Sequence, residues 1–343
     1  MLRIREEFRL NKKAYLLIIM MLLMVLSACA NTSANSTDDV KIMRLANVVS
    51  DDRSLSKAFY KFKEIVEEET KGSIQVEVFT NAILGGDRQI FEGLQLNTIQ
   101  GATMSTGPIS QFEKHFTIFD LPFLFPDEDS AYKVLDGPIG QELLDKLPEQ
   151  NIIGLNYWEN GYRQLTNNVR PIETLEDLQS LNIRTLENAM HLKTWNTLGA
   201  NPTPMNYGEL YVGLEQGTVD GQENPVGNVV NSNFYEVQDY LTKTNHIYNA
   251  SPFIISKPFW DSLTGEEQEI VASAADEVME YQREVNRQES EEGYNLLEKK
   301  GMEIIELSEE EREKFREAVE PVYDNYRQNF GGDLLDQILS EID

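Results

Sequence analysis

From residue 40 to about residue 241 the spacing of apolar residues switches repeatedly between two and 3.6. Residues 42–48 alternate as a strand does, and Leu55, Phe59, Phe62, Ile65 and Val66 then fall on one helical face that Gly72 is placed to stop. Alternation returns over 74–79, a helix is predicted over 87–96, and a short strand over 99–104 runs into a Gly107-Pro108 turn. Further strands are predicted over 152–157 and 162–166, separated by a turn at Gly161. A strand over 181–186 is followed by a helix that Asn188 can cap and Gly199 can end. Strand and helix in alternation are the pattern of α/β domains.

The last third differs in kind. Residues 265–301 contain no proline, are dense in Glu, Gln and Ala, and predict one long helix whose charges mostly form a solvated face. A second helix is predicted to start at Ser308, with acidic residues in its first turn and Phe315, Val319 and Val322 on one side. No repeat of 20 to 50 residues is evident.

The N-terminus changes the compartment. Arg3, Arg5, Arg9, Lys12 and Lys13 precede an apolar run over 15–28, which reads as an export signal. The run ends in Leu26-Ser27-Ala28-Cys29, which resembles the bacterial lipobox, and Cys29 is the one cysteine of the chain. A lipoprotein signal peptide over 1–28, acylation of Cys29 and a flexible polar tether over 29–39 are therefore expected. An ordinary cleaved signal or an uncleaved anchor is the plainer alternative. With no disulfide possible, packing alone must hold the remaining ~300 residues, enough for two domains of about 150 each.

The formal net charge of −28 argues against nucleic acid and anionic lipid as partners, since both require a basic footprint. An anionic small ligand is still compatible, because a few arginines inside a cleft outweigh a diffuse, screened surface charge.

Catalytic constellations are scarce. His115, His191 and His246 are scattered singly, and no HExxH, GxSxG, CxxC or GxGxxG pattern occurs. Asp127-Glu128-Asp129 lacks the glycine and distal glutamate of a calcium loop and reads as an acidic first helical turn. No metal and no cofactor are expected. Three segments place polar groups of buried type beside turns: residues 160–167 with Arg163, residues 181–185 with Arg184 in mid-strand, and residues 216–225 with Asn224 just before Pro225. A strand-centre arginine needs an anionic partner, and its fork matches a carboxylate bidentately. That partner can equally be a ligand or one of the chain's many glutamates, and Asn224 can equally serve a turn.

In order and spacing these segments resemble the solute-binding proteins of tripartite ATP-independent periplasmic (TRAP) transporters, the DctP-type family. Leu84-Gly85-Gly86-Asp87-Arg88, residues 119–125, residues 199–205 and residues 217–225 carry the same likeness, which runs from about Ile42 to the C-terminus. The resemblance implies an α/β, two-lobed periplasmic-binding-protein-like fold, with a ligand cleft between two α/β domains and a long helix spanning both. One lobe is expected over 40–160 and 250–289, the other over 161–249 and 290–343. By position, Arg184 matches the arginine that grips the ligand carboxylate, Arg163 the second arginine beside it, Asn224 the amide that completes the clamp, and Tyr207 an aromatic ring against the ligand. Asn47 and Asp87 fall at polar cleft positions, and Glu187, Asn188, Glu223 and Ser105 are further candidates.

Sialate-binding relatives carry a glutamate and an arginine where this chain has Ser105 and Pro108, which disfavours sialic acid. A sugar acid with one carboxylate and several hydroxyls is the expected ligand. A C4-dicarboxylate would want a third cation, for which Arg88 is the nearby candidate. The resemblance further implies membrane-embedded permease subunits as partners and an extracytoplasmic location, to which the lipobox adds a lipid anchor; a monomer is expected, and the missing catalytic motifs argue against an enzyme. An enzyme on a binding-protein scaffold is the distant alternative.

Overall fold

The computed structural model describes residues 40–342. The expected export segment, Cys29 and the tether over 29–39 lie outside the described residues. Among the described residues no helix is long and apolar enough to cross a membrane.

Ten strands form two sheets that share one member. They are β1 (Lys41–Ala46), β2 (Ile74–Phe79), β3 (Gly101–Thr103), β4 (Ile152–Asn167), β5 (Asn182–Thr185), β6 (Asn201–Pro204), β7 (Gly221–Pro225), β8 (Tyr240–Lys243), β9 (Tyr248–Ser256) and β10 (Glu303–Glu306). The order β2-β1-β3-β9-β4 makes the first sheet, and β4 continues through β7 and β5 to β6 in the second, with β8 and β10 on the other side of β4. The helices that bear on the site are α1 (Ser54–Glu69), α2 (Asp87–Gln95), α3 (Ala189–Thr197), α4 (Val226–Asn231) and the 35-residue α5 (Gly265–Lys299).

The two strands expected over 152–157 and 162–166 are a single 16-residue strand. Its first part, from Ile152 to Tyr162, pairs with β9, and its last five residues, Arg163 to Asn167, pair with β7. The residue taken for a turn, Gly161, is instead a bulge: it has φ +106° and the register with β9 shifts between Glu159 and Gly161. A glycine adopts that backbone without a Cβ penalty, so the strand bends and continues rather than reversing. Elsewhere the strand over 99–104 shrinks to three residues, and the helix begun at Ser308 ends at Ala318 before a proline-started helix takes over at Glu320.

Helix α5 ties the two sheets together. Val271, Ala274, Ala275 and Val278 pack with Phe59, Phe62, Trp158 and Phe253 against the first sheet, while Leu297 joins Leu210, Leu214, Val229 and Leu241 under the second. Between these apolar ends α5 is polar yet buried. Gln282 accepts from Glu159 N at 2.8 Å and donates to Glu159 O at 2.7 Å, and Arg283 donates to Asp136 and to Tyr157 O. The middle of the helix thus satisfies the backbone of β4 where that strand passes from one sheet to the other.

Candidate functional site

The parallel strands of both sheets point their carboxyl ends at one cavity, the usual ligand position in α/β folds. Asn47 follows β1, Met104 and Ser105 follow β3, Leu186 follows β5, and Asn224 ends β7. Asp87 opens α2, and Thr103, Asn160, Tyr207, Asn228 and Ser251 complete the polar part of the wall. Five of the ten residues expected at the site therefore line the cavity: Asn47, Asp87, Ser105, Tyr207 and Asn224.

Arg184 is not on the wall itself but stands beside it. Its guanidinium carbon lies 5.9 Å from the centroid of the Tyr207 ring. Nε donates to Met205 O at 2.8 Å, and the buried Nη1 has no hydrogen-bond partner among the described residues. Burial draws the Arg184 pKa down to about 10, with the Glu223 charge opposing that fall. Asp87 is the matching opposite charge. Its buried Oδ1 is likewise unpartnered among the described residues. Burial pushes its carboxyl up to about 6, despite the nearby Arg184. Buried polar atoms are almost always paired, so the open Arg184 Nη1, Asp87 Oδ1 and Ser251 Oγ at one cavity mark where a ligand would bond.

Arg163 is held differently. It is fully buried and forks onto the Glu223 carboxylate through Nε and Nη2, while Nη1 donates to Asn249 Oδ1 at 3.1 Å. The two residues come together because the last part of β4 pairs antiparallel with β7. Glu223 also faces His246 Nε2 at 3.1 Å and His191 Nδ1 at 3.4 Å, and His191 Nε2 reaches Asp120 Oδ1 at 3.1 Å. Two histidines that are isolated in sequence thus meet at one carboxylate, with no local signal to foretell it. Among the described residues no cluster has the makeup of a metal site.

The remaining expected residues are engaged by the protein. Asn188 caps α3 through Oδ1, which accepts from Met190 N and His191 N, and its Nδ2 donates to Gly107 O, Ser110 Oγ and Asp120 Oδ2. Asn47 bonds Ser56 Oγ and Val49 N, holding the turn between β1 and α1. Glu187 is half-buried, and its backbone carbonyl accepts from Gln111. Ser105 Oγ donates to Asn249 Oδ1 at 2.8 Å, an oxygen that Asn160 Nδ2 also reaches at 2.9 Å. Arg88 pairs with Glu92 one turn along the outer face of α2 and is exposed.

This cluster sets a pH dependence. Burial alone would lower the His191 pKa, but the Glu223 charge and the Asp120 hydrogen bond hold it above the ordinary value. A raised histidine contributes stability that is complete below pH ~6.5 and is lost as pH rises through the folded pKa. Asp87, also raised, acts in the same direction from pH ~3.9 upward through its folded value. The melting temperature of the ligand-free protein is therefore expected to fall as the pH rises above ~6.5, and His191→Gln should flatten that slope. An identical slope in the variant would remove His191 from the account.

Two lobes joined by a shared strand and a long helix, closing on a cavity with one unmatched cation and one unmatched acid, define a receptor for a small solute. The chain belongs to the bacterial extracellular solute-binding protein family 7, DctP, whose profile matches residues 45–329. These are the solute receptors of TRAP transporters, and they work outside the cytoplasm. Among solved structures, the sugar acid binding protein DctPAm of Advenella mimigardefordensis, in complex with galactonate, superposes with a TM-score of 0.87 at 40% identity, over 89% of this chain and 99% of that one. A TRAP periplasmic solute binding protein of Polaromonas sp. JS666, bound to D-erythronate, gives a TM-score of 0.84 at 36% identity, over 87% and 98%. The C4-dicarboxylate-binding protein DctB of Bacillus subtilis is 32% identical over 305 residues, 88% of this chain and 86% of that protein.

Proposed function

We propose that this receptor captures a sugar acid with a single carboxylate and several hydroxyls, and delivers it to membrane-embedded permease subunits. The observation that carries the reading is that Arg184 Nη1 beside the cavity and Asp87 Oδ1 on its wall, a buried donor and a buried acceptor, are both left open among the described residues. A guanidinium suits the carboxylate, and a carboxylate accepts from hydroxyls. The rest of the polar wall is amides and hydroxyls that both donate and accept. Arg163 stays as the auxiliary cation: its charge reaches Asp87, and Asn249 stands between it and Ser105. A dicarboxylate needs a further cation, and Arg88 is turned away on the α2 surface. Galactonate and D-erythronate, the ligands of the two similar structures, have the proposed chemistry.

Thermal denaturation against a panel tests this. At 100 times its dissociation constant a ligand adds about 2.7 kcal/mol of stability. Galactonate or a related aldonate should raise the melting temperature by more than succinate does, and neutral hexoses should leave it unchanged. A shift with succinate alone would favour the dicarboxylate reading, and a shift with a neutral hexose alone would end the proposal.

The lobes are assigned to 40–160 with 250–289 and to 161–249 with 290–343, and the receptor is taken to act as a monomer without chemistry of its own. Acylation at Cys29 would hold it at the outer face of the membrane. Cys29→Ala should move the protein from the membrane fraction to the soluble extracytoplasmic fraction. Retention of an unprocessed variant in the membrane would mean that the N-terminal segment is itself the anchor.

A further inference from the structure

Arg53 lies in the polar stretch Ser50-Asp51-Asp52-Arg53-Ser54, where nothing in the sequence distinguishes it from a loop residue. In the structure it is 1% exposed and among the largest fully buried side chains. Its guanidinium is engaged on three sides. Nε donates to Asn228 Oδ1 at 2.8 Å, Nη1 to Glu289 Oε2 at 2.5 Å, and Nη2 to Asn160 Oδ1 at 3.0 Å and to Asn160 O at 3.2 Å. These acceptors belong to α4, to α5 and to the bulged part of β4. The site is shaped to admit the side chain: a Cβ on Gly227 would stand 2.1 Å from Arg53 Nη1.

Two of the three partners are themselves part of the cavity wall. Asn228 Nδ2 donates to Asn224 Oδ1 at 3.0 Å, and Asn160 Nδ2 donates to Asn249 Oδ1, the acceptor shared with Ser105. A buried arginine with all three nitrogens engaged is a poor ligand donor but a strong crosslink. With the lobes as assigned above, Arg53 belongs to one and Asn228 to the other. Opening the cleft would break this charge-assisted bond, while Glu289 and Asn160 keep the fork aimed for re-closure. Glu289 also accepts from Lys57 Nζ at 2.8 Å and from Ser54 N at 3.0 Å, so it stays placed without Arg53.

We propose that Arg53 is the latch of this receptor, a positioning residue that holds the lobes closed through Asn228 and thereby sets how long any bound acid stays. The latch rests on the receptor fold and not on the identity of the acid.

The test uses the chain with Cys29→Ser and spin labels at Leu96→Cys and Val212→Cys, two exposed positions on opposite lobes. Distances are measured without ligand, and galactonate dissociation is followed by stopped flow. Arg53→Gln should move the ligand-free distribution toward longer separations and raise the galactonate off-rate about tenfold or more. Gly227→Ala, which leaves every charge in place, should give the same widening by displacing Nη1, and it carries the test if Arg53→Gln does not fold. Asn228→Ala should widen the distribution equally, and combining it with Arg53→Gln should add nothing. Distributions in Arg53→Gln and Gly227→Ala that match the parent chain would overturn the latch. If the parent chain does not bind galactonate, the sugar-acid reading is at fault, and the ligand-free distances still decide the latch.

Discussion

Arg184→Ala should weaken binding of the organic acid by roughly two to four orders of magnitude while leaving the ligand-free protein folded. Removing one partner of a buried charge pair costs about 3 to 5 kcal/mol, and each 1.4 kcal/mol is tenfold in affinity. The structural cost is expected to be small, because Arg184 Nε makes one bond, to Met205 O, and Nη1 bonds no described residue. Arg184→Lys keeps the charge without the fork and should fall between. Calorimetric titration of the folded protein decides the matter. A lowered melting temperature with an affinity within a few-fold of the parent would mean that Arg184 serves the fold instead.

Glu223→Gln should do the opposite, unfolding the protein more easily whether or not ligand is present. The glutamate is fully buried, takes the fork of Arg163 and faces both His191 and His246. Those charges hold its pKa well below the ordinary range in spite of burial. Neutralising it leaves Arg163 buried without a counter-charge, a loss of about 3 to 5 kcal/mol by the usual cost of breaking such a pair. Urea unfolding of the ligand-free variant measures it. Because replacing a whole buried pair by apolar groups is often nearly neutral, Arg163→Met combined with Glu223→Leu should be less destabilised than Glu223→Gln alone. A loss under about 1 kcal/mol in Glu223→Gln would show that the cluster adds little to stability.

These contrasting expectations for Arg163 and Arg184 show where the sequence stops being informative. Both arginines sit on strands beside apolar residues, and residue physics alone left ligand and glutamate as rival partners for each. What separates them is a partner 60 residues away for Arg163 and none for the Nη1 of Arg184. Local signals worked where the interaction is local. The alternation over 74–79 coincides with β2, Asn188 and Ser308 cap the helices they precede, and the proline-free stretch is one helix. They misled at Asn160-Gly161, since a glycine in a polar pair reads as a turn whether it reverses a strand or bends one. They were silent on Arg53, whose burial depends entirely on elements more than 100 residues downstream.

The passage of β4 through both sheets bears on how such receptors can diversify. A splice within β4 cuts one strand that pairs with β9 before its bulge and with β7 after it, so exchanging half of this frame between relatives disrupts both sheets. Recombination is thereby penalised where it would be most useful. New specificities must arise by replacing single side chains on a fixed frame, at wall positions such as Met104 and Leu186, whose backbone lies outside the strands. Relatives that share this frame while binding different acids are the expected product of that constraint.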